Sequence, residues 1–418
     1  FESIYPVDIR KVSRHTAPNK LIKIELNNGR DITVTPEHPC WIVKEGSITT
    51  IPAEKLRKGE FFPVPEELPI EGKEQLFNEE PYINGPELCK LIGYHITDGC
   101  YEINRGKKNG IQFWNNDINL IEDYQNSIKK IFGLKAGVTK RNNQFAVRVV
   151  SRKVVNFMKN LDGSLMEKGE VKKIPDQIMK CRKEDLAFLL KAAFDGDGTV
   201  VRVKRGGCRI GLAIENKKFA DQISELLLRF GISSSIFKDK KIYRLDVSGY
   251  DNILKFNQNI GFLSRKKAER IIEYLKKDKT YRSRVDVIPN VSREIREIFR
   301  KLRITDKALG NQICVGCNKH KKFFKKMVAI AESKIGLVLE SREIVKNNKR
   351  AAVLGETRRK IGLSALSISK KLGITHYMLI QDERENKKNE QYQKVLNLEI
   401  EDMLSIVPEF REIRKLAF

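Results

Sequence analysis

The chain has 418 residues, of which 80 are Lys or Arg and 54 are Asp or Glu, so its formal net charge is +26. This length allows two or three domains, and the positive excess favours a polyanion such as nucleic acid, because each phosphate contact releases condensed counterions. A lysine-rich solvated surface, as in heat-adapted proteins, is the alternative. Seven scattered cysteines argue against a disulfide framework and favour a reducing, cytoplasmic location near the nucleoid. No apolar run approaches the roughly 18 residues that span a bilayer, so we predict no membrane partner.

Residues 1–68 have the pattern of a small β domain. The segments KLIKIEL and RDITVT alternate apolar and polar residues around NNG, which is a hairpin turn signal. A stretch rich in proline and acid, beginning FFPVPEELP, then interrupts the pattern and predicts a linker.

Residues 84–277 mix helix and strand patterns and repeat themselves, and we place the two copies at 84–180 and 185–277. LIGYHITDG aligns with LKAAFDGDG at an offset of 99 residues, and IQFWNND aligns with IGLAIEN at the same offset. FGLKAGVTK aligns with FGISSSIFK at an offset of 98. The repetition predicts an α+β domain with pseudo-twofold symmetry.

One acid is common to both copies of the motif. Asp98 aligns with Asp197, and each is followed by glycine at a predicted helix end, whereas Asp195 aligns with Ile96. If the two helices pack together, as the aligned small residues Gly93 and Ala192 would permit, the two carboxylates meet and repel each other. Mg²⁺ or Mn²⁺ would relieve this repulsion and could clamp a scissile phosphate. The alternative is that each Asp-Gly pair is only a helix stop and turn.

These residues resemble the motifs of the LAGLIDADG homing endonucleases in their single-chain, monomeric form, although His95 and Gly196 differ from the commonest residues. The resemblance implies a duplicated αββαββα fold whose sheets lie in the major groove of double-stranded DNA. It also implies metal binding by Asp98 and Asp197. Family members use a lysine near each metal site, which corresponds to Lys172 in VKKIPDQI and to Lys266, with Lys267 as the alternative, in GFLSRKKAER.

Sequence readout would then fall to the strands. QFAVRVV and KIYRLDV alternate side chains between two faces, and Arg suits guanine edges in the major groove. Which face meets DNA stays open. The residues that we expect to bind DNA are Lys140, Arg148, Lys238 and Arg244.

The segment GRDITVTPEHPCWIV resembles the T-x-x-H block of the Hint domain of inteins, with Thr35 and His38 at the motif positions. In inteins this pair polarises the amide at the upstream splice junction, so the resemblance implies flanking host segments, the exteins, as partners. The alternative is an ordinary turn at a strand end. Splicing also needs a leading Cys or Ser and a trailing Asn. Because this sequence starts at Phe1 and ends in REIRKLAF, we expect either that both ends were left out or that the intein has decayed.

Residues 288–418 are mostly helical in pattern. RRKIGLSALSISKKLGITHYMLIQDE resembles a helix-turn-helix of the repressor type, with Gly373 at the turn and Thr375 capping the second helix. This arrangement would direct His376 and Tyr377 toward DNA. The alternative is a simple helical hairpin.

The segment CVGCNKH contains two cysteines and a histidine at positions 314, 317 and 320. Zinc binding is possible for C-x-x-C, but no second pair follows at a suitable distance. A basic surface that contacts phosphate is the simpler interpretation.

Together these patterns predict an intein-derived, site-specific endonuclease that cuts double-stranded DNA with a divalent metal. One alternative is a non-catalytic transcription regulator built on the same DNA-binding parts. Another is a splicing element whose nuclease is inactive. Retention of both Asp98 and Asp197 favours the endonuclease, because a protein that only binds DNA gains nothing from paired acids beneath phosphate.

Overall fold

The structure, a computed structural model, describes residues 7–14, 16, 18–44, 47–73, 85–141, 143–167, 171–203, 207–276, 287–289, 291–305 and 319–417. The described residues divide into two compact units. The sheet unit comprises those within 4–35 and 64–285, and the helical unit comprises those within 36–63 and 286–418. Across these residues, no helix has the length and apolar character needed to cross a membrane.

Two β-hairpins occupy the N-terminal segment that the sequence predicts as one domain. The first pairs β1 (Ile22–Glu25) with β2 (Asp31–Val34), and the second pairs β3 (Pro39–Lys44) with β4 (Ser47–Pro52). The first hairpin belongs to the sheet unit, whereas the second belongs to the helical unit. The compact units therefore do not follow the predicted boundary at residue 68.

The sheet unit contains the predicted repeat. The first copy consists of α1 (Gly85–Thr97), β5 (Gly99–Asn104), β6 (Lys107–Asn115), α2 (Ile118–Phe132), β7 (Gly137–Arg141), β8 (Gln144–Val150) and α3 (Arg152–Asp162), and α4 (Asp176–Met179) follows it. The second consists of α5 (Lys183–Gly196), β9 (Gly198–Val203), β10 (Gly207–Ile214), α6 (Lys217–Arg229), β11 (Ser234–Asp239), β12 (Ile242–Ser248) and α7 (Tyr250–Asn259), and α8 (Arg265–Leu275) follows it. Each copy has the expected order αββαββα.

Each copy builds one four-stranded antiparallel sheet with the same topology. The strand order is β5-β6-β8-β7 in the first copy and β9-β10-β12-β11 in the second. Alternate residues of each strand, such as Val147 and Leu245, enter the apolar core beneath the helices. The other face of each sheet, which we call the open face, has no helix of its own repeat on it, since its alternate residues fall outside that core.

The two motif helices α1 and α5 pack against each other along the centre of the sheet unit. Gly93 permits this approach, because a Cβ there would lie 2.4 Å from the carbonyl oxygen of Leu189 and 2.8 Å from the Cβ of Ala192. The predicted close contact at Gly93 and Ala192 is therefore confirmed. The buried stripe of α1, formed by Leu88, Leu91, Ile92 and Ile96, joins the core of the unit.

The helical unit is built from seven helices within its described residues. They are α9 (Ser292–Lys301), α10 (Lys321–Asn347), α11 (Ala351–Lys360), α12 (Ala365–Leu372), α13 (His376–Glu385), α14 (Glu390–Leu404) and α15 (Val407–Arg414). Two short strands, β13 (Val287–Ile288) and β14 (Lys319–His320), pair beside α9 and α10. One apolar cluster joins α9, α10 and α15. A second cluster contains residues of all five helices from α10 through α14.

Helices α12 and α13 form the pair predicted as a helix-turn-helix. Gly373 ends α12 with a φ of 67°, in the left-handed region that glycine adopts without strain. The hydroxyl of Thr375 accepts the backbone N–H of Met378 and so caps α13, as the sequence predicts. A buried ion pair between Arg358 and Glu383 joins α11 to α13, with a Nε–Oε1 distance of 3.1 Å.

Candidate active site

The candidate site lies where the two motif helices end. Asp98 directly follows α1, and Asp197 directly follows α5. Each acid is followed by a glycine that starts a strand. A Cβ at Gly198 would lie 2.2 Å from the carbonyl oxygen of Phe194, and one at Gly99 would lie 2.1 Å from Nδ1 of His95. Only glycine therefore lets the chain fold back over the last helical turn into the strand.

The geometry at Gly196 brings the two motifs together. A Cβ on Gly196 would lie 2.5 Å from the Oγ1 of Thr97 and 3.2 Å from the Oδ2 of Asp98. The end of α5 therefore approaches the Asp98 carboxylate closely, as the aligned motifs predict. The glycine that departs from the commonest motif residue is the one that makes this contact possible.

The carboxylate of Asp197 acts electrostatically on that of Asp98. Loss of water, followed by repulsion from Asp197, raises the pKa of Asp98 to about 6, against a hydrogen bond from Asn115. The Asn115 Nδ2 donates this bond to Asp98 Oδ2 over 3.1 Å. Partial desolvation also raises the pKa of Asp197, although this residue stays exposed and keeps more of its water. A positive charge close to the two acids would therefore stabilise their ionised forms.

Lys172 supplies one positive charge beside the first motif. Its side chain is buried, and its Nζ donates to the carbonyl oxygens of His95, Thr97 and Gly99 at 3.2, 3.4 and 3.4 Å. Burial lowers the pKa of Lys172, and the carboxylates of Asp197 and Asp98 oppose that shift. The structure therefore places Lys172 beside the end of α1.

Lys267, rather than Lys266, occupies the matching place beside the second motif. The Nζ of Lys267 donates to the carbonyl oxygens of Phe194, Asp195 and Gly196 at 3.0, 2.6 and 3.3 Å. Lys266 is exposed. Because Lys266 and Lys267 are adjacent in α8, only one of them can face the motif helix, and the geometry favours the alternative residue over the first choice.

His95, the other departure in the first motif, is a core residue. Its ring is fully buried, and its Nε2 lies 2.8 Å from the hydroxyl of Tyr124. Burial, with a smaller contribution from Lys172, lowers the pKa of His95 to about 3, so the ring is neutral. His95 therefore serves packing in α1.

The two predicted DNA-binding arginines lie on the open faces of the sheets. Arg148 pairs in register with Gln112 and forms an ion pair with Glu102. The Nε of Arg244 lies 3.3 Å from the Oδ2 of Asp246. Arg209 also approaches Asp246, at 3.4 Å. The first open face thus holds one guanidinium group beside a buried acid, and the second holds two.

The two predicted DNA-binding lysines lie on the opposite, helix-covered faces. Lys140 pairs in register with Phe145, and Lys238 pairs with Tyr243. Each ammonium lies over its partner's ring, with Nζ 5.8 Å and 6.0 Å from the ring centroids. Both lysines are exposed at the edge of their sheet, where a sugar–phosphate backbone could reach them. They do not share a face with Arg148 and Arg244.

The remaining predicted site residues belong to other segments of the chain. Thr35 belongs to the sheet unit, whereas His38 is an exposed residue of the helical unit, next to β3. His376 and Tyr377 are exposed at the start of α13, and Tyr377 has 74% of its surface accessible. Cys314 and Cys317 lie outside the described residues, as does the side chain of His320.

Asp195 is a site residue that the sequence comparison of the two motifs does not identify. Its carboxylate is buried and accepts the backbone N–H groups of Leu263 and Ser264 at 2.8 and 3.0 Å. The only sequence signal was the first of the two acids in AAFDGDG, which the aligned first motif replaces with Ile96.

Comparison with known families identifies the duplicated domain. Residues 86–161 and 184–261 each match the family described as the LAGLIDADG-like domain. The chain therefore contains a LAGLIDADG-like domain in two copies, and α1 and α5 are its motif helices.

Two curated proteins illustrate the similarity at the level of sequence. The replication factor C small subunit of Methanocaldococcus jannaschii is 30% identical over 296 residues, which cover 68% of this chain and 15% of that protein. The DNA-directed RNA polymerase subunit Rpo1C of the same organism is 29% identical over 326 residues, covering 69% of this chain and 36% of that protein. The chain spans only a minor part of the length of these relatives.

Two solved structures resemble part of the chain. The homing endonuclease I-WcaI bound to its DNA recognition sequence is 15% identical, with a TM-score of 0.36, covering 45% of this chain and 87% of that one. I-DmoI in complex with DNA and Ca is 18% identical, with a TM-score of 0.35, covering 45% of this chain and 98% of that one.

Proposed function

We propose that this chain is a site-specific DNA endonuclease that needs a divalent metal and is carried by an intein. The observation that carries the proposal is the meeting of two motif helices at a pair of acids, with the buried Lys172 beside the end of α1 and the half-buried Lys267 beside the end of α5. In a LAGLIDADG-like domain, this arrangement matches the hydrolysis of a phosphodiester better than it matches DNA binding alone.

Asp98 and Asp197 are the residues that would hold the metal. Their fit rests on the close approach of the end of α5 to the Asp98 carboxylate, which brings two oxygen-donor groups together. A cation between them would relieve the repulsion that, with loss of water, raises the pKa of Asp98. Within the described ranges, no three His, Cys, Asp or Glu side chains converge as a metal cluster. Water and phosphate oxygens, which Mg²⁺ prefers, would therefore complete its shell. The chemistry supplied by a bound metal would be neutralisation of phosphate charge and a lower pKa of bound water.

The chain's own residues would prepare the phosphate for attack. Lys172 and Lys267 hold ammonium groups beside the acids, where they can stabilise negative charge that develops on phosphate oxygens. Asn115 orients the Asp98 carboxylate through its hydrogen bond. The open faces of the two sheets would bind the duplex, with Arg148 and Arg244 aimed at base edges.

The proposal that an intein carries this chain is supported by the different kinds of protein that contain a similar segment. A replication factor subunit and an RNA polymerase subunit bear unrelated names, yet each contains a segment similar to most of this chain. A segment that recurs as a minor part of unrelated proteins is what an inserted, mobile element would leave. Thr35 and His38 would be remnants of its splicing block.

A cleavage assay tests the endonuclease proposal. The protein would be incubated with Mg²⁺ and a plasmid carrying the host gene joined across the point of insertion. We expect one double-strand cut at the junction, and none by the double variant Asp98→Asn/Asp197→Asn, which should still bind the plasmid. Binding by the wild-type protein with no cut in Mg²⁺ or Mn²⁺ would favour the transcription regulator instead.

A further inference from the structure

The second motif contains a buried acid that has no counterpart in the first. Asp195 lies in the last turn of α5 with 2% of its surface exposed, and the aligned residue of α1 is the apolar Ile96. Its Oδ2 accepts the N–H of Leu263 at 2.8 Å, and its Oδ1 accepts the N–H of Ser264 at 3.0 Å. The carboxylate therefore fastens the chain segment that leads into α8.

Hydrogen bonds return from α8 to the same turn of α5. Lys267 is the third residue of α8, and its Nζ donates to the carbonyl oxygen of Asp195 at 2.6 Å. The side chain of Asp195 thus binds the backbone that precedes α8, and the side chain of Lys267 binds the backbone of Asp195. The two residues form a reciprocal clamp between α5 and α8.

The first motif holds its lysine by a different side chain. The Nδ2 of Asn216 donates to the carbonyl oxygen of Lys172 at 2.8 Å. Ile96, which is 3% exposed, can make no such bond. The two lysines occupy matching places in the repeat, but only Lys267 depends on an acid of the motif itself.

We infer that Asp195 is a positioning residue for Lys267 and so controls the cutting of one DNA strand. The inference rests on the proposed function. The strands of a duplex are related by a twofold axis, so each half of a pseudo-twofold enzyme addresses one of them. Loss of the clamp leaves two backbone N–H groups without their acceptor and frees the start of α8. A displacement of about 1 Å at a catalytic group lowers rates by about 100-fold.

The test separates the two strands. A plasmid with one target site, or a duplex labelled on either strand, is cut in Mg²⁺ by the wild type, Asp195→Asn and Asp195→Ala. We expect one strand to be cut about 10- to 100-fold more slowly by both variants, so that nicked plasmid accumulates. Lys267→Met should spare the same strand, and Lys172→Met should spare the other.

A matched control removes a different buried acid from the same helix. Asp185 is 3% exposed at the start of α5 and pairs with Arg182 at 3.2 Å. We expect Asp185→Asn to lower the melting temperature without a preference between strands. Asp195→Asn keeps one acceptor oxygen and is the variant expected to fold if Asp195→Ala does not.

The outcomes distinguish this inference from the proposed function. Equal slowing of both strands by Asp195→Asn, or no slowing of either, overturns the positioning role. A slowed strand that differs from the one spared by Lys267→Met also overturns it. Absence of cutting by the wild-type protein instead overturns the endonuclease proposal, on which the positioning role depends.

Discussion

Asp98 combines three properties in one side chain: it ends a helix, it approaches the second motif, and it carries a charge that its surroundings disfavour. Its pKa of about 6 stands above the ordinary value of 3.8, because water is partly excluded and Asp197 repels it. The folded protein therefore binds this proton more tightly than the unfolded chain does, and ionisation of Asp98 costs stability as the pH rises through that interval.

Replacing Asp98→Asn is accordingly expected to raise the melting temperature of the metal-free protein at about pH 7.5 and to change it little at about pH 4. Thermal unfolding with a chelator present measures both values. The exposed Asp221, which pairs with Lys217, provides the control, since Asp221→Asn should show no gain that depends on pH in this way. A gain that is equal at both pH values would contradict the assignment.

Gly93 is a second residue whose effect can be measured. Gly93→Ala places a Cβ 2.4 Å from the carbonyl oxygen of Leu189, so the motif helices must separate. We expect a loss of about 1–3 kcal/mol in the free energy of unfolding, from denaturant titration. Gly336, in the middle of α10, has nothing within 4 Å of its Cβ position, and Gly336→Ala should stabilise by up to about 1 kcal/mol. Similar effects of both changes would refute the packing argument.

At the scale of elements, β12 and β11 divide their basic residues between two faces. Arg244 lies on the open face beside Asp246, whereas Lys238 lies over Tyr243 on the helix-covered face. We expect Arg244→Ala to weaken cognate binding by about 1–3 kcal/mol and to relax base preference at one or two positions. Lys238→Ala should leave base preference unchanged and should at most reduce the salt dependence of DNA binding.

Fluorescence anisotropy against the target and its single-base variants measures both effects. If Lys238→Ala altered base preference while Arg244→Ala did not, the open face would not be the reading face.

The pair α12 and α13 makes an independent prediction. If α13 enters a major groove, Tyr377→Ala should shorten the DNase footprint at one end and leave the cleavage position unchanged. Leu398→Ala is the control, since Leu398 is similarly exposed, at 70%, but lies on α14. An unchanged footprint for Tyr377→Ala would favour the simple helical hairpin.

At the scale of the whole molecule, a net charge of +26 is the dominant feature. If this charge serves phosphate binding, affinity for random duplex DNA should fall by orders of magnitude between about 50 and 200 mM salt. Filter binding over a salt series measures the slope. A shallow slope would indicate that the lysines mainly solvate the surface, as in heat-adapted proteins.

Much of this molecule follows from local pattern. The spacing of apolar residues, the glycines after Asp98 and Asp197 and the internal repeat determine two αββαββα copies with a paired acid, because periodicity and turn chemistry are properties of short segments. The caps at Gly373 and Thr375 are equally local. The choice between Lys266 and Lys267 was not, since it depends on the direction in which α8 faces.

Only the tertiary structure decided three further points. It placed Arg148 and Lys140 on opposite faces of one sheet. A strand pattern alone does not show which face a residue is on until the side that packs on the core is known. The tertiary structure divided the two N-terminal hairpins between compact units, since the partner of a half-apolar hairpin is chosen by distant surfaces. It also joined Asp195 to Leu263 and Ser264, 68 and 69 residues away, because hydrogen bonds between distant segments leave no periodic trace in a sequence.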